Sequence, residues 1–257
     1  MIAKWMGAAC LILIAGCATS PITGRQQLML VPESEVIQAS EQAYAQEMAE
    51  ARRKGQLDTD PRTVSWVRGI ADRIIRQAVR YRPESANWRW QVNVVSNPQV
   101  NAYAMAGGKI AVYTGLLDKV APTDDQLAQV LAHEIGHALA GHSQEKMSLS
   151  LGTDLVLSAV SAADPRTRQA LSAAALLAVQ LPYSRQMESE ADRIGIELAA
   201  RAGYDPRAAV TLWQKMSREE GGGVPEFLST HPSDAARIDA LSRLVPQMMP
   251  LYEAARR

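Results

Sequence analysis

Residues 133–137 read His-Glu-Ile-Gly-His, and no other stretch limits the fold as much. Two imidazoles four residues apart sit about 40° apart around a helix of ~3.6 residues per turn, so both reach one ion only if this stretch is helical. Glu134 lies on the neighbouring edge of that face, where it can take a proton from an activated water without being a ligand. Leu127, Val130, Leu131, Ile135, Ala138 and Leu139 recur at helical spacing around the histidines, so the face that carries them is a core face. Imidazoles there need a partner, and a metal ion supplies one directly. Thr123 with Gln126 three residues on forms a capping box, and Asp124 and Asp125 complement the helix dipole.

Two histidines and a base do not complete a zinc site, and only His142 and His231 remain. His142 follows His137 by five residues, about 140° round a continued helix, so it is expected to point away. Ser143 and Ala140 stand where a metzincin would place its third histidine and the glycine before it. The third ligand is therefore sought downstream, on a helix that opens near Tyr183 and stops at Gly203 before Pro206. Glu188 and Asp192 lie one turn apart on it, which suits Glu188 as ligand and Asp192 as acceptor for a ligand histidine's second ring proton. Glu190, ~200° round from Glu188, is the weaker candidate.

With these residues in place the chain resembles a known family, the gluzincin peptidases of the HtpX and CAAX prenyl protease type. The His-Glu-x-x-His helix, the Glu188-to-Asp192 helix, Asn101-Ala102-Tyr103-Ala104 leading through Gly107-Gly108 into a strand, and Thr230-His231-Pro232 followed by Arg237 are similar to its motifs. Pro21-Ile22-Thr23-Gly24-Arg25-Gln26 resembles the mature start of its periplasmic lipoprotein members. The resemblance implies one zinc ion per chain held by His133, His137 and Glu188, with Glu134 as general base. It also implies a substrate held by strand addition along Asn101, Ala102 and Tyr103, with Gly107 and Gly108 either admitting close backbone approach or making an ordinary tight turn. His231 would either donate to the oxyanion or occupy the zinc and hold the enzyme inactive, and Arg237 either ties its helix to the site or contacts substrate.

The first residues add a location. Lys4, an apolar run from Met6 to Ile14 and then Leu13-Ile14-Ala15-Gly16-Cys17 make a lipoprotein signal pattern, with residues 1–16 removed and Cys17 lipidated. Cys10 falls within the leader, so no disulfide is expected. Ala18 after the cysteine resembles lipoproteins sorted to the outer membrane, facing the periplasm. An extended arm over 17–32 and one metallopeptidase domain over 33–257 follow. The runs Leu155–Ala163 and Ala170–Leu181 are too short to span a bilayer and read as a buried helical hairpin, with a membrane-facing or gating role as the alternative.

With 27 basic and 27 acidic residues there is no nucleic-acid signature. A single phenylalanine and abundant alanine and leucine favour an α+β, mainly α, fold in which strands at 88–95, 101–105 and 109–114 make one small sheet. The expected partners are unfolded or misassembled envelope proteins, the membrane through lipid on Cys17, and outer-membrane assembly machinery. Two other readings compete: an assembly chaperone with a latent zinc site, which His231 as a fourth ligand would favour, and a non-peptidase zinc hydrolase.

Overall fold

The computed structural model describes residues 17–20, 24–160, 181–218, 231 and 235–257. Helices at Glu33–Arg53 (α1), Pro61–Tyr81 (α2), Asp124–Leu139 (α3), His142–Val160 (α4), Leu181–Arg201 (α5), Arg207–Arg218 (α6) and Ala235–Ala255 (α7) dominate. Short strands lie at Cys17–Thr19 (β1), Gln26–Leu28 (β2), Gln91–Val95 (β3), Ala102–Met105 (β4) and Lys109–Tyr113 (β5), giving an α+β fold. Among the described residues no helix is long and apolar enough to cross a membrane. The leader at 1–16, most of the insert between α4 and α5, and the Gly221–Gly223 loop lie outside the described residues.

The helix ends follow from local chemistry. Asp60 caps α2 by accepting from the backbone N–H groups of Arg62 and Thr63, with Pro61 at the first helical position. Val64, Val67, Ile70, Ala71, Ile74 and Ala78 then make one buried stripe at helical spacing. The capping box of α3 is present: Gln126 N–H donates to Thr123 Oγ1 at 3.2 Å and Thr123 N–H to Gln126 Oε1 at 3.2 Å. Every residue of α3 from Gln126 to Leu139 is buried, so this is a central helix enclosed on all sides.

The main sheet has the order β3-β5-β4, with β3 parallel and β4 antiparallel to β5. β4 precedes β5 in the chain yet pairs outside it, which makes Ala102–Met105 an edge among the described residues. One face of the sheet packs on α2 and α3, burying Val92, Ala102, Ala104, Ile110 and Val112 in the principal core. The other face packs on α1 through Tyr44, Met48, Val95 and Ala111.

Alternation along β4 puts Ala102 and Ala104 in the principal core and Tyr103 among Tyr44, Tyr113 and Glu47 on the opposite face. Gly107 and Gly108, both at φ +79°, form the turn between β4 and β5. A Cβ there would lie 2.9 Å from Ile37 and 2.7 Å from the Trp90 ring respectively. The turn and this packing against the chain itself account for both glycines, the tight-turn alternative of the two left open for them.

The arm expected to be merely extended contains a small antiparallel hairpin of β1 and β2, with Cys17 opposite Leu28. It lies on the start of α4: Gln27 donates to the Ala140 carbonyl at 2.9 Å, and Val31 N–H to Ser148 Oγ at 3.1 Å.

Candidate metal centre

The ligand helices meet because neither carries a side chain where their backbones cross. A Cβ on Gly136 of α3 would sit 2.9 Å from the Ala191 carbonyl oxygen of α5, and one on Gly195 of α5 would sit 2.8 Å from the His133 nitrogen. Glycine at both places lets α3 and α5 approach closely enough for His133, His137 and Glu188 to converge. With His231 they form one cluster whose nearest ligand atoms all lie within 4.8 Å of one another.

The separations inside the cluster decide what it can hold. His133 Nε2 lies 3.1 Å from His137 Nε2, 3.3 Å from Glu188 Oε2 and 3.2 Å from His231 Nδ1. Glu188 Oε1 is 3.2 Å from His137 Nε2, and Oε2 is 3.0 Å from His231 Nδ1. A tetrahedral zinc with bonds of ~2.0–2.1 Å has edges of about 3.3 Å, so these donors are spaced as corners of its coordination shell. Neutral imidazole nitrogen with one carboxylate is also the donor set of catalytic zinc.

Hydrogen bonding at the far ring nitrogens fixes how the rings face the centre. His133 Nδ1 lies 2.9 Å from Asp192 Oδ1 and His137 Nδ1 2.8 Å from His142 Nδ1; with a metal ion on both Nε2 atoms, each Nδ1 carries the ring proton and donates outward. Both Nε2 atoms and the Glu188 carboxylate then offer lone pairs to one positive charge. Burial alone would lower the pKa of His133, but its bonds to Asp192 and Glu188 outweigh this and raise it to about 9. Burial opposes ionisation of Glu188 as well, yet bonds from His133, His137 and His231 hold its carboxyl far below the usual range. His137 is driven well below the ordinary histidine value, chiefly by burial.

Glu134 Oε1 is buried and, among the described residues, accepts no hydrogen bond, lying 3.4 Å from His231 Nε2. Such an oxygen is costly in a purely structural centre and suits a general base awaiting a water proton. Asp192 is held by Arg237, whose Nε and Nη2 donate to it at 2.7 and 2.8 Å. The guanidinium also reaches Glu188 Oε2 at 3.2 Å and stacks over the Trp213 ring at 3.7 Å. Arg237 therefore ties α7 to the site, one of the two roles left open for it. Of the Thr-His-Pro stretch only His231 is described, and it stands at the fourth corner.

His142 is the clear correction. It was expected to point away, but α3 ends at Leu139, Gly141 turns the chain at φ +71°, and His142 opens α4 instead of extending α3. The helical count restarts there, and the ring returns to His137. Glu190 is not a ligand, yet it is not idle: its Oε2 accepts from His142 Nε2 at 3.1 Å and from Arg25 Nε at 2.8 Å. Arg25 forks further onto the buried Glu145 at 2.7 and 2.6 Å. Sequence reading missed Arg25, Glu145 and Trp213. Arg25 belonged to a stretch read only as an arm, and its partners lie 120 and 165 residues away.

Comparison with known proteins agrees with the geometry. A family model described as peptidase family M48 matches residues 61–245. The chain is 36% identical over 249 residues to the mitochondrial metalloendopeptidase OMA1 of Bos taurus, covering 91% of this chain and 47% of that protein. It is 33% identical over 142 residues to the metalloprotease LoiP of Escherichia coli strain K12, 54% of this chain and 56% of LoiP. To the beta-barrel assembly-enhancing protease of Yersinia pestis it is 28% identical over 259 residues, 92% of this chain and 51% of that protein. The chain thus spans about half the length of these relatives. These relatives show the gluzincin likeness at the level of the family.

Proposed function

The chain belongs to peptidase family M48, and on that premise we propose that it is a zinc-dependent endopeptidase acting on misfolded or unassembled proteins of the bacterial cell envelope. The observation that carries the reading is the buried Glu134 Oε1, which accepts no hydrogen bond among the described residues, beside a set of donors spaced for one zinc ion. His133, His137 and Glu188 would hold that ion, which when bound polarises a peptide carbonyl and acidifies water at neutral pH. Glu134 takes the proton of the attacking water and returns it to the departing amine. Asp192 and Arg237 keep the His133 ring turned with Nε2 inward. The outer edge of β4 offers main-chain groups to an extended peptide, a mode that demands little of its side chains and fits a broad choice of unfolded substrates.

Placement at the outer membrane, anchored by lipid on Cys17 and facing the periplasm, rests on the leader pattern and on the resemblance of Pro21-Ile22-Thr23-Gly24-Arg25-Gln26 to the mature start of periplasmic lipoprotein members of the family. The likeness to a beta-barrel assembly-enhancing protease supports assembly machinery of that membrane as a partner.

One observation favours a second reading. His231 Nδ1 fills the fourth corner, 3.0 Å from Glu188 Oε2 and 3.2 Å from His133 Nε2, as in a closed zinc site. A latent enzyme acting as an assembly chaperone fits that arrangement.

Zinc content and cleavage of an unfolded protein such as casein, measured on the full chain, Glu134→Gln and His231→Ala, separate the readings. Endopeptidase action requires Glu134→Gln to keep zinc and lose cleavage by at least ~100-fold. A gain in His231→Ala makes that histidine a latch, and a loss makes it an oxyanion donor. Zinc bound with no cleavage by any variant sinks the enzyme and leaves the chaperone.

A further inference from the structure

The hairpin arm at 17–32 reaches the metal centre through a single string of hydrogen bonds, every one of which runs in a consistent sense. His137 Nδ1–H donates to His142 Nδ1 at 2.8 Å, His142 Nε2–H to Glu190 Oε2 at 3.1 Å, and Arg25 Nε–H to the same oxygen at 2.8 Å. Each ring nitrogen has one role: with Nε2 of His137 turned to the metal, Nδ1 must donate, so His142 must accept at Nδ1 and donate at Nε2.

The string is also closed to water. His142 is 1% exposed, Glu145 0% and Glu190 8%, and Arg25 of the arm forms ion pairs with both carboxylates. It grips Glu145 with both Nη atoms and Glu190 with Nε, while Gln27 adds a bond to Glu145 Oε2 at 3.0 Å.

We propose that His142, Glu190 and Arg25 are positioning residues for the zinc ligand His137, so that the arm is a working part of the metal centre and not a tether alone. The inference rests on the zinc reading above. It predicts that the arm's seating sets how well His137 is aimed. Loss of a hydrogen-bond partner behind a ligand histidine typically weakens metal binding or activity 10- to 100-fold.

The test measures the zinc Kd of the full chain by competition with a chromophoric chelator, together with kcat and KM on casein. His142→Leu removes the acceptor, His142→Gln keeps an acceptor for His137 and a donor for Glu190, and Arg25→Gln cuts the outer end. Expected are a zinc Kd about 10- to 100-fold higher in His142→Leu with kcat falling and KM unchanged, and recovery of most of it in His142→Gln. Arg25→Gln, one link further out, is expected to show a smaller rise of roughly tenfold.

Zinc affinity within twofold of the parent in both His142→Leu and Arg25→Gln overturns the proposal, even if both melt earlier, since a merely structural arm alters Tm alone. The proposal also falls if His142→Gln binds zinc as weakly as His142→Leu. A parent chain that binds zinc but cleaves nothing defeats the endopeptidase reading while the affinity comparison still decides this one. A parent that binds no zinc defeats both.

Discussion

His133 and His137 stand one turn apart on α3, yet the structure supports them from opposite sides and by different means. Behind His133 is a carboxylate in direct contact, Asp192, held by Arg237 and backed by Trp213 from α6. Behind His137 is a second imidazole, His142, which stands between the ligand and Glu190, and the cation arrives from the arm. Both strings end in an arginine, but the charge of the first touches its ligand and the charge of the second is one ring removed. Burial lowers the pKa of both rings, but bonds to Asp192 and Glu188 raise His133 to about 9, while at His137 burial prevails and pushes it well below its ordinary value. The inner string is built within the metallopeptidase core. The outer one depends on a hairpin that has little core of its own.

The largest effect should come from breaking the direct string. Asp192→Ala leaves the Arg237 guanidinium buried without its bidentate partner and His133 without an acceptor. A loss of about 3–5 kcal/mol in chemical denaturation, with zinc binding weakened at least tenfold, is the expected result. An Asp192→Ala chain as stable as the parent would remove the distinction between the two strings.

Cutting the outer string at its cation should cost less. Arg25 keeps 18% of its side chain exposed, so water can partly replace it for Glu145 and Glu190 in Arg25→Gln. About 1–3 kcal/mol is expected from the same denaturation measurement. A loss as large as that of Asp192→Ala would mean that the arm is as integral as the core.

Gly195→Ala tests what the two histidines share. Its Cβ would press on the His133 backbone and force α3 and α5 apart, so about 1–3 kcal/mol of stability and part of the zinc affinity should go together. If affinity survives intact, the close approach of these helices is not what gathers the ligands.

The smallest effect serves as a control. Thr123→Ala removes the cap of α3, which carries both histidines, and should cost about 1 kcal/mol in thermal or chemical melts without altering zinc affinity. A change in affinity would show that the register of α3 itself, and not the two strings, sets the geometry.

Much of this was legible beforehand. The capping box, the bounds of α5 to within a few residues and the three strands follow from short-range patterns, while the convergence of His133, His137 and Glu188 on one site was implied by the family resemblance. His142 was misplaced because the wheel count assumes an unbroken helix, and the signal against that assumption was Gly141, a residue able to stop α3 at once. Gly136 and Gly195 were not singled out, since a glycine inside a helix gives no hint of what presses on it until the neighbour is known. Gly107 and Gly108 were legible as a turn or as room for a substrate, and only the packing of Ile37 and Trp90 against them favours the turn.

The sequence alone determined which residues could share a face: four-residue spacing put two imidazoles and a carboxylate on one helix, and the same spacing put Glu188 above Asp192. Backbone geometry fixes such relations locally, without reference to the rest of the chain. Only the tertiary structure decided that Arg25 would neutralise Glu145 and Glu190, that His142 would turn back to His137, and that His231 would stand at the fourth corner. Those partners are separated by loops and whole helices, and what joins them is the need of buried charges and ring nitrogens for a partner, a demand that arises only once packing has removed the water.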